Sequence, residues 1–169
     1  MTITIRRATD ADQPDLARLC WAYRDVLVER SAGLPPLVEV YYGVESYGKL
    51  IDDLPRIHAR PTGDILVAIM DDAVVGCAMY YPLAEAGTTE IKRVFVDPVA
   101  RGTGAGRMLV SDAMTRARAD GYKRMVLDTI APLTEAIALY TRLGFEPCAP
   151  FYEPEPDFVP YLRFFDHPL

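Results

Sequence analysis

The sequence predicts a single α/β domain (α+β in some schemes) over residues 1–169, with a mixed central sheet of about seven strands and about four flanking helices. Three observations predict this class. A length of 169 residues suffices for one sizeable core. The segments read in order as strand, two helices, three strands, helix, strand, helix, strand and strand. Finally, a glycine-rich turn joins a Val- and Phe-rich strand directly to an amphipathic helix.

The first half of the chain supplies one strand, two helices and a hairpin. Residues 2–7 alternate β-branched and polar side chains, which predicts a first strand. A first helix is indicated by apolar side chains at helical spacing: Leu16, Leu19, Cys20, Tyr23 and Leu27. A weaker helical pattern covers residues 38–54. Two apolar runs, residues 64–70 and 73–83, flank Asp71-Asp72 and predict an antiparallel hairpin.

The second half alternates strands with helices. The helix after the glycine-rich turn is expected to bury one face and to end at Gly121. That buried face consists of Leu109, Val110, Ala113, Met114 and Ala117. Residues 124–129 predict a further strand, and Thr134 is the expected cap of a short helix that Gly144 ends. Prolines make the next segment irregular, and residues 161–165 predict a last strand.

The glycine-rich turn, residues 101–106, predicts an anion site. Its backbone N–H groups and the positive end of the following helix dipole converge on one small volume. A phosphate-binding P-loop would need Lys and then Ser or Thr after the last glycine, whereas Arg107 and Met108 stand there. The dinucleotide spacing G-x-G-x-x-G also fails. The pattern present is Arg-x-x-Gly-x-Gly, formed by Arg101, Gly104 and Gly106.

Two stretches resemble one known family. Residues 89–110, TEIKRVFVDPVARGTGAGRMLV, resemble the acyl-CoA pyrophosphate loop of the GCN5-related N-acetyltransferase (GNAT) superfamily. Residues 136–147, AIALYTRLGFEP, are similar to that superfamily's A-x-x-L-Y-x-x-x-G-F segment. The resemblance implies a sheet splayed between its fourth and fifth strands. It also implies transfer of an acetyl group from acetyl-CoA to an amine by direct attack.

The resemblance also implies a binding mode for acetyl-CoA. The pyrophosphate would lie on Arg101, Gly102, Thr103, Gly104, Ala105, Gly106 and Arg107. The pantetheine arm would pair with the backbone of Val94, Phe95 and Val96 like an added strand. Leu133 stands seven residues before the motif tyrosine, where many family members carry an Asn that contacts the CoA arm. That contact is therefore not expected here.

Two residues are the expected catalytic groups. An alkylamine with a pKa of ~10.4 is almost entirely protonated at neutral pH, so a base must take its proton. Glu90 stands where many family members place such a carboxylate. The alternatives are a salt bridge with Lys92 or Arg93, or a carboxylate at the mouth of the sheet without a catalytic role. Tyr140 matches the family tyrosine that approaches the thioester sulfur; the alternative is packing on a helix face. An acyl-CoA-binding sensor without catalysis is the alternative function.

Composition excludes several other classes. The net charge of −6 without a long basic run argues against a nucleic-acid partner. No run approaches ~18 consecutive apolar residues, so we expect no membrane-spanning helix and a cytoplasmic location. A homodimer is also compatible with the sequence. The three cysteines are expected to be reduced and packed. His58 and His167 stand in segments expected to be exposed, and no metal site is predicted.

The acceptor is expected to be a small molecule with a primary amine. This expectation rests on acidic and aromatic residues in two segments that could line the acceptor side of the active site. The acidic residues are Glu39, Glu45, Asp52, Asp53, Glu153, Glu155 and Asp157. The aromatic residues are Tyr41, Tyr42, Tyr47, Phe151, Tyr152 and Phe158. Solvated surface and core packing are the alternatives, and the identity of the acceptor stays open.

Overall fold

A computed structural model describes residues 2–169, and seven strands within them form one mixed sheet. The strands are β1 (Ile3–Arg7), β2 (Asp64–Met70), β3 (Ala73–Pro82), β4 (Thr88–Val96), β5 (Arg124–Ile130), β6 (Glu146–Pro147) and β7 (Leu162–Pro168). Their order is β1-β2-β3-β4-β5-β7-β6. The β4–β5 pair is parallel and the other pairs are antiparallel, as expected for a mixed sheet.

The described residues form six α-helices. They are α1 (Gln13–Arg30), α2 (Leu37–Tyr41), α3 (Val44–Asp52), α4 (Leu54–Ile57), α5 (Ala105–Ala119) and α6 (Thr134–Arg142). The single helix expected over residues 38–54 is thus divided into short pieces. The first break follows Tyr42, because Gly43 adopts extended ψ of 139°. Thr134 begins α6 instead of capping it, and Leu133 occupies the cap position without a side-chain hydrogen bond.

The β2–β3 hairpin confirms the predicted turn. Asp71 and Asp72 both lie in the left-handed region, with φ of 49° and 64°. Positive φ at both central residues defines the type I′ turn, which matches the right-handed twist of paired strands. Aspartate tolerates this conformation better than most residues other than glycine.

Helices cover both faces of the sheet. The predicted inward face of α5 is buried as expected, against residues such as Leu66, Tyr80 and Ile91. On the other face, α1 and α3 pack on β3 and β4, where Tyr47 and Met79 are among the buried side chains. A third cluster joins the ends of α1 and α2 to β7 and to the proline-rich segment before it.

The sheet splays between β4 and β5, as the resemblance implied. Their parallel pairing stops after three residue pairs, of which Glu90 with Val126 is the last. The β3–β4 register also shifts between Cys77 and Met79, and Arg93 has φ of 51°. This bulge bends β4. One edge of β4 therefore has no strand partner over residues 91–96.

The structure contradicts the expectation that His58 is exposed. Its side chain lies in the core with 3% exposure, and its ring packs edge-on against Tyr81 at a centroid distance of 5.4 Å. Nδ1 lies 3.0 Å from the carbonyl oxygen of Tyr80. Burial lowers the pKa of His58 to about 4, so the ring is neutral at physiological pH. The cysteines are free thiols as expected, with Cys20 and Cys77 buried and Cys148 half-buried.

Candidate active site

A cavity of about 750 Å³ fills the opening between β4 and β5. The unpaired edge of β4 forms one wall, and the beginning of α5 forms one end. Residues of β5, α6 and α1 complete it, including Asp128, Tyr140 and Tyr23. Sites at the point where strands of an α/β sheet diverge are common because two chain directions leave a crevice there.

The glycine-rich turn has the geometry that an anion requires. Gly102 and Gly104 have φ of 78° and 87°, and Gly104 is the N-cap of α5. Within residues 2–169, the backbone N–H groups of Gly102, Gly104, Gly106 and Arg107 donate to no protein acceptor. Four unused donors at a helix N-terminus favour a negatively charged ligand.

Gly106 differs from Gly102 and Gly104 because its φ is not positive, and a side chain there would meet its neighbours at ordinary contact distances. A Cβ at this position would lie 3.4 Å from Leu139 Cδ2 and 3.7 Å from Val96 Cγ2. The turn therefore lies close against α6 and the end of β4. Thr103 stiffens the same turn, because its hydroxyl donates to the carbonyl of Ala100 at 2.6 Å.

The edge of β4 that faces the cavity includes residues 94–96, which are predicted to hold the pantetheine arm. Val94 and Val96 are half-buried and Phe95 is 7% exposed, so their side chains mostly pack in the core. On the other edge, Phe95 and Val96 pair with Cys77 and Gly76 of β3. The free edge offers its main-chain groups to an extended ligand, as in strand addition.

The cavity wall is positively charged although the whole chain carries −6. Its cations are Arg30, Lys92, Arg93, Arg101, Arg107 and Arg142, and its carboxylates are Glu29, Asp128 and Glu135. Four of these arginines make no ion pair among residues 2–169, namely Arg93, Arg101, Arg107 and Arg142. Free cations beside the turn suit a ligand with several phosphates. The sequence analysis did not identify Arg142. The one indication in the sequence was its position at the end of the helix that carries Tyr140.

Tyr140 lies in the cavity wall, on α6, with 7% exposure. Its hydroxyl makes no hydrogen bond to another described residue, and its ring packs against Phe145 at 5.9 Å. Burial raises the pKa of Tyr140, and the charge of Asp128 adds to the effect. The phenol therefore stays protonated and can donate a hydrogen bond into the cavity.

Glu90 lies outside the cavity wall. It is 4% exposed and stands opposite Tyr81 in the β3–β4 ladder, and the Tyr81 hydroxyl donates to its carboxylate. Its Oε1 lies 3.1 Å from Lys92 Nζ. The salt bridge that was one alternative to a base role is therefore present, and Lys92 stands between Glu90 and the cavity.

Lys92 connects Glu90 to a second carboxylate that sequence reasoning missed. Its Nζ lies 3.4 Å from Asp128 Oδ1, and Tyr152 donates its hydroxyl to Asp128 Oδ2 at 2.7 Å. Burial opposes the charged form of Lys92, but the negative charges of Asp128 and Glu90 outweigh it and raise the pKa of Lys92. Asp128 follows a run of apolar strand residues, which was its only signal in the sequence.

The expected acidic lining of the acceptor side is wrong. None of the seven acidic residues that were expected there contributes to the cavity wall. Of the six aromatic residues, Tyr42 lines the cavity, and Tyr152 reaches it through its hydrogen bond to Asp128. The others pack elsewhere, as Tyr47 does against Trp21 at 5.3 Å. The acidic side chains are exposed to solvent instead, except for the half-buried Asp53.

No helix within residues 2–169 combines the length and the apolar character that crossing a bilayer requires. Over the same residues, no three His, Cys, Asp or Glu side chains gather as metal ligands would.

Comparison with known proteins agrees with this geometry. The sequence model of the Acetyltransferase (GNAT) family matches residues 34–145. The uncharacterized N-acetyltransferase YjgM of Escherichia coli is 34% identical over 144 residues, which cover 84% of this chain and 81% of that protein. The IAA acetyltransferase of Azospirillum brasilense is 39% identical over 111 residues, 66% of this chain and 71% of that one.

A solved structure extends the likeness to the fold. YncA of Salmonella typhimurium, solved with its cofactor acetyl-CoA, superposes with a TM-score of 0.70 at 22% identity and covers 99% of this chain and 94% of that one. The fold and the site define an acyl-CoA-dependent transferase. The chain belongs to the GNAT acetyltransferase family and is an acetyl-CoA-dependent N-acetyltransferase.

Proposed function

We propose that the protein transfers the acetyl group of acetyl-CoA to the primary amine of a small molecule, by direct attack of the amine on the thioester. The observation that carries this proposal is one continuous surface. The free edge of β4, residues 91–96, leads directly to the four unused N–H donors of the turn at residues 102–107. An extended arm followed by a pyrophosphate fits that order of groups.

Charge supports the same ligand. The turn lies beside Arg101, Arg107 and Arg142, which have no carboxylate partner among the described residues. Acetyl-CoA carries a pyrophosphate and a further phosphate on its nucleotide end, so it would neutralise these cations. In this arrangement the pyrophosphate is held by the residues of the turn, which are Arg101, Gly102, Thr103, Gly104, Ala105, Gly106 and Arg107. The backbone of Val94, Phe95 and Val96 holds the pantetheine arm.

Tyr140 supplies the group that the leaving thiolate needs. Its protonated hydroxyl is free to donate a hydrogen bond, and that bond strengthens as negative charge grows on the sulfur. Full proton transfer is not required, because a phenol near pKa ~10 is a weaker acid than a thiol near ~8.5. Attack by the amine needs no covalent enzyme intermediate.

Glu90 is the carboxylate that the resemblance puts forward as a base, and its buried position limits how it can act. Lys92 lies between its carboxylate and the cavity, so an effect on the amine passes through Lys92 or through a water molecule. The acceptor side of the cavity is lined by Tyr23, Tyr42, Asp128 and Leu133. The acceptor would share this cavity of about 750 Å³ with the arm of acetyl-CoA, which favours a small acceptor.

The test is a screen for thiol release. The purified protein is mixed with acetyl-CoA and pools of small primary amines, and free CoA is followed with a thiol reagent. Products are identified by mass as the amine plus one acetyl group. We expect amine-dependent thiol release that the Tyr140→Phe variant reduces. Tight binding of acetyl-CoA without release for any amine would instead support the sensor function. The cytoplasmic location and the homodimer stay predictions, which cell fractionation and light scattering would test.

A further inference from the structure

We propose that Asp128 binds the ammonium group of the acceptor and accepts its proton, and that Glu90 acts on this carboxylate only through Lys92. The inference rests on the proposed acetyl transfer to a primary amine and assigns the group in that site which contacts the reacting nitrogen. Asp128 would therefore be a catalytic residue, and Glu90 and Tyr152 would be positioning residues.

The position of Asp128 follows from the splay. The last β4–β5 pair is Glu90 with Val126, so Lys92 and Asp128 both lie two residues beyond it, on opposite walls of the opening. Asp128 lines the cavity and its side chain is 17% exposed, whereas the Glu90 side chain is 5% exposed and lines no part of the cavity. A ligand in the opening reaches Asp128 first.

Hydrogen bonds hold the Asp128 carboxylate in place without saturating it. Oδ2 accepts the Tyr152 hydroxyl at 2.7 Å, and Oδ1 lies 3.4 Å from Lys92 Nζ. Each carboxylate oxygen accepts about two hydrogen bonds, so both oxygens retain capacity for an ammonium donor. The Tyr152 ring is itself fixed between Phe151 and Phe164, at centroid distances of 5.5 and 5.3 Å. The carboxylate is thus oriented before a substrate arrives.

The charges leave Asp128 available to a cation. Lys92 lies nearer to Glu90, at 3.1 Å, than to Asp128, at 3.4 Å. Two carboxylates and one ammonium sum to one net negative charge, and the member exposed to the cavity is Asp128. The titratable side chains around it are Tyr23 from α1, Tyr42 after α2, Lys92 from β4, Tyr140 from α6 and Tyr152 after β6. The charge of Asp128 helps to raise the pKa of Tyr140 and of Tyr152, so both phenols remain protonated.

The reaction balances with these groups. The ammonium loses one proton to Asp128, which becomes a neutral acid, and the nitrogen lone pair forms a bond to the thioester carbon. As the C–S bond breaks, its electron pair goes to sulfur. The second nitrogen proton then reaches the thiolate with Tyr140 as its hydrogen-bonding partner, and Asp128 returns its proton to solvent. A carboxylate is a weaker base than a free amine, so this first transfer is uphill, and it precedes attack because an ammonium has no lone pair. Formation of the N–C bond then acidifies the second proton.

The test compares Asp128→Asn with two other amide variants of the intact protein, Glu90→Gln and Asp166→Asn. The last is a matched control, because Asp166 pairs with Arg124 at 2.9 Å and lies outside the cavity wall. We expect Asp128→Asn to lower kcat/KM for the amine by roughly 10²–10⁴-fold at pH ~7, with a Kd for acetyl-CoA within about twofold. Glu90→Gln should cost about tenfold or less, and Asp166→Asn should have no effect on kcat/KM.

The pH profile separates a proton acceptor from a structural support. The deficit of Asp128→Asn should shrink by roughly tenfold as the pH rises from ~7 toward the pKa of the amine, because solvent then supplies the free base. If Asp128→Asn does not fold, Tyr152→Phe removes the bond to Oδ2 and should lower kcat by about threefold or more. A Glu90→Gln loss that equals or exceeds that of Asp128→Asn would overturn the assignment. Absence of transfer by the wild-type protein would instead contradict the proposed function.

Discussion

Lys92 on β4 and Asp128 on β5 form an ion pair, with Nζ 3.4 Å from Oδ1, just beyond the point where the two strands stop pairing. The pair closes the base of the cavity, and its lysine also contacts the buried Glu90. Lys92 therefore links Glu90, the buried carboxylate that the sequence indicated, to Asp128, the carboxylate that lines the cavity.

Loss of this lysine should destabilise the fold. Lys92→Met leaves Glu90 and Asp128 near each other without a cation, and removing one member of a buried ion pair is costly because the remaining charge stays desolvated. Since both side chains of the pair retain some exposure, we expect the free energy of unfolding to fall by about 3 kcal/mol. Urea unfolding measures this.

A solvent-exposed pair provides the control for that experiment. Lys49→Met removes the partner of Glu45, in a pair whose side chains are 75% and 86% exposed. The free energy of unfolding should stay almost unchanged there, because exposed pairs contribute little. Equal effects of the two substitutions would show that the Lys92 cluster is as well solvated as the surface.

The effect of a substitution at Gly104 on acetyl-CoA binding should depend on the charge of the new side chain. At φ of 87°, Asn and Asp are similarly strained, and both tolerate this region better than other non-glycine residues. Gly104→Asp places a negative charge where we propose the pyrophosphate, so the Kd for acetyl-CoA should rise by more than about 100-fold. Gly104→Asn should raise it by less than about tenfold. Calorimetry on folded variants measures both, and equal affinities would place the pyrophosphate elsewhere.

The hydroxyl of Tyr140 should matter for turnover and not for binding. Tyr140→Phe keeps the ring that packs against Phe145 and removes only the donor. We expect kcat to fall by roughly 10–100-fold, which corresponds to about 1.4–2.7 kcal/mol. The Kd for acetyl-CoA should remain close to that of the wild type. An unchanged kcat would reduce Tyr140 to a packing residue on α6.

His58 should make stability depend on pH. Its folded pKa is about 4 against an ordinary ~6.5, so between these values the unfolded chain binds more protons. The contribution to stability is fully present above pH ~6.5 and is lost as the pH falls toward ~4, in total about 3 kcal/mol.

The variant that isolates this effect is His58→Asn. Its amide can still donate to the carbonyl of Tyr80, which His58 Nδ1 meets at 3.0 Å, but it cannot titrate. Urea unfolding from pH ~7.5 to ~4.5 should show a steeper loss of stability in the wild type than in the variant. Parallel curves would mean that His58 is solvated or protonated in the folded protein.

Much of this protein was determined by local sequence patterns. The Asp71-Asp72 turn and the inward face of α5 are both found as expected. Each depends on residues within a few positions of one another, because helix period, turn conformation and capping are short-range properties. The two family motifs are equally local, so the family and the fold could be predicted from the chain alone.

Tertiary structure decided what depends on distant residues. Lys92 and Asp128 are 36 positions apart, and Tyr152 is a further 24 away; no spacing rule relates them. The bulge at Arg93 and the early end of β4–β5 pairing brought the first two together, and aromatic packing placed the third. For the same reason His58 is buried and the acidic segments face solvent. Burial and charge pairing are set by which elements pack together, and residue type alone does not specify that.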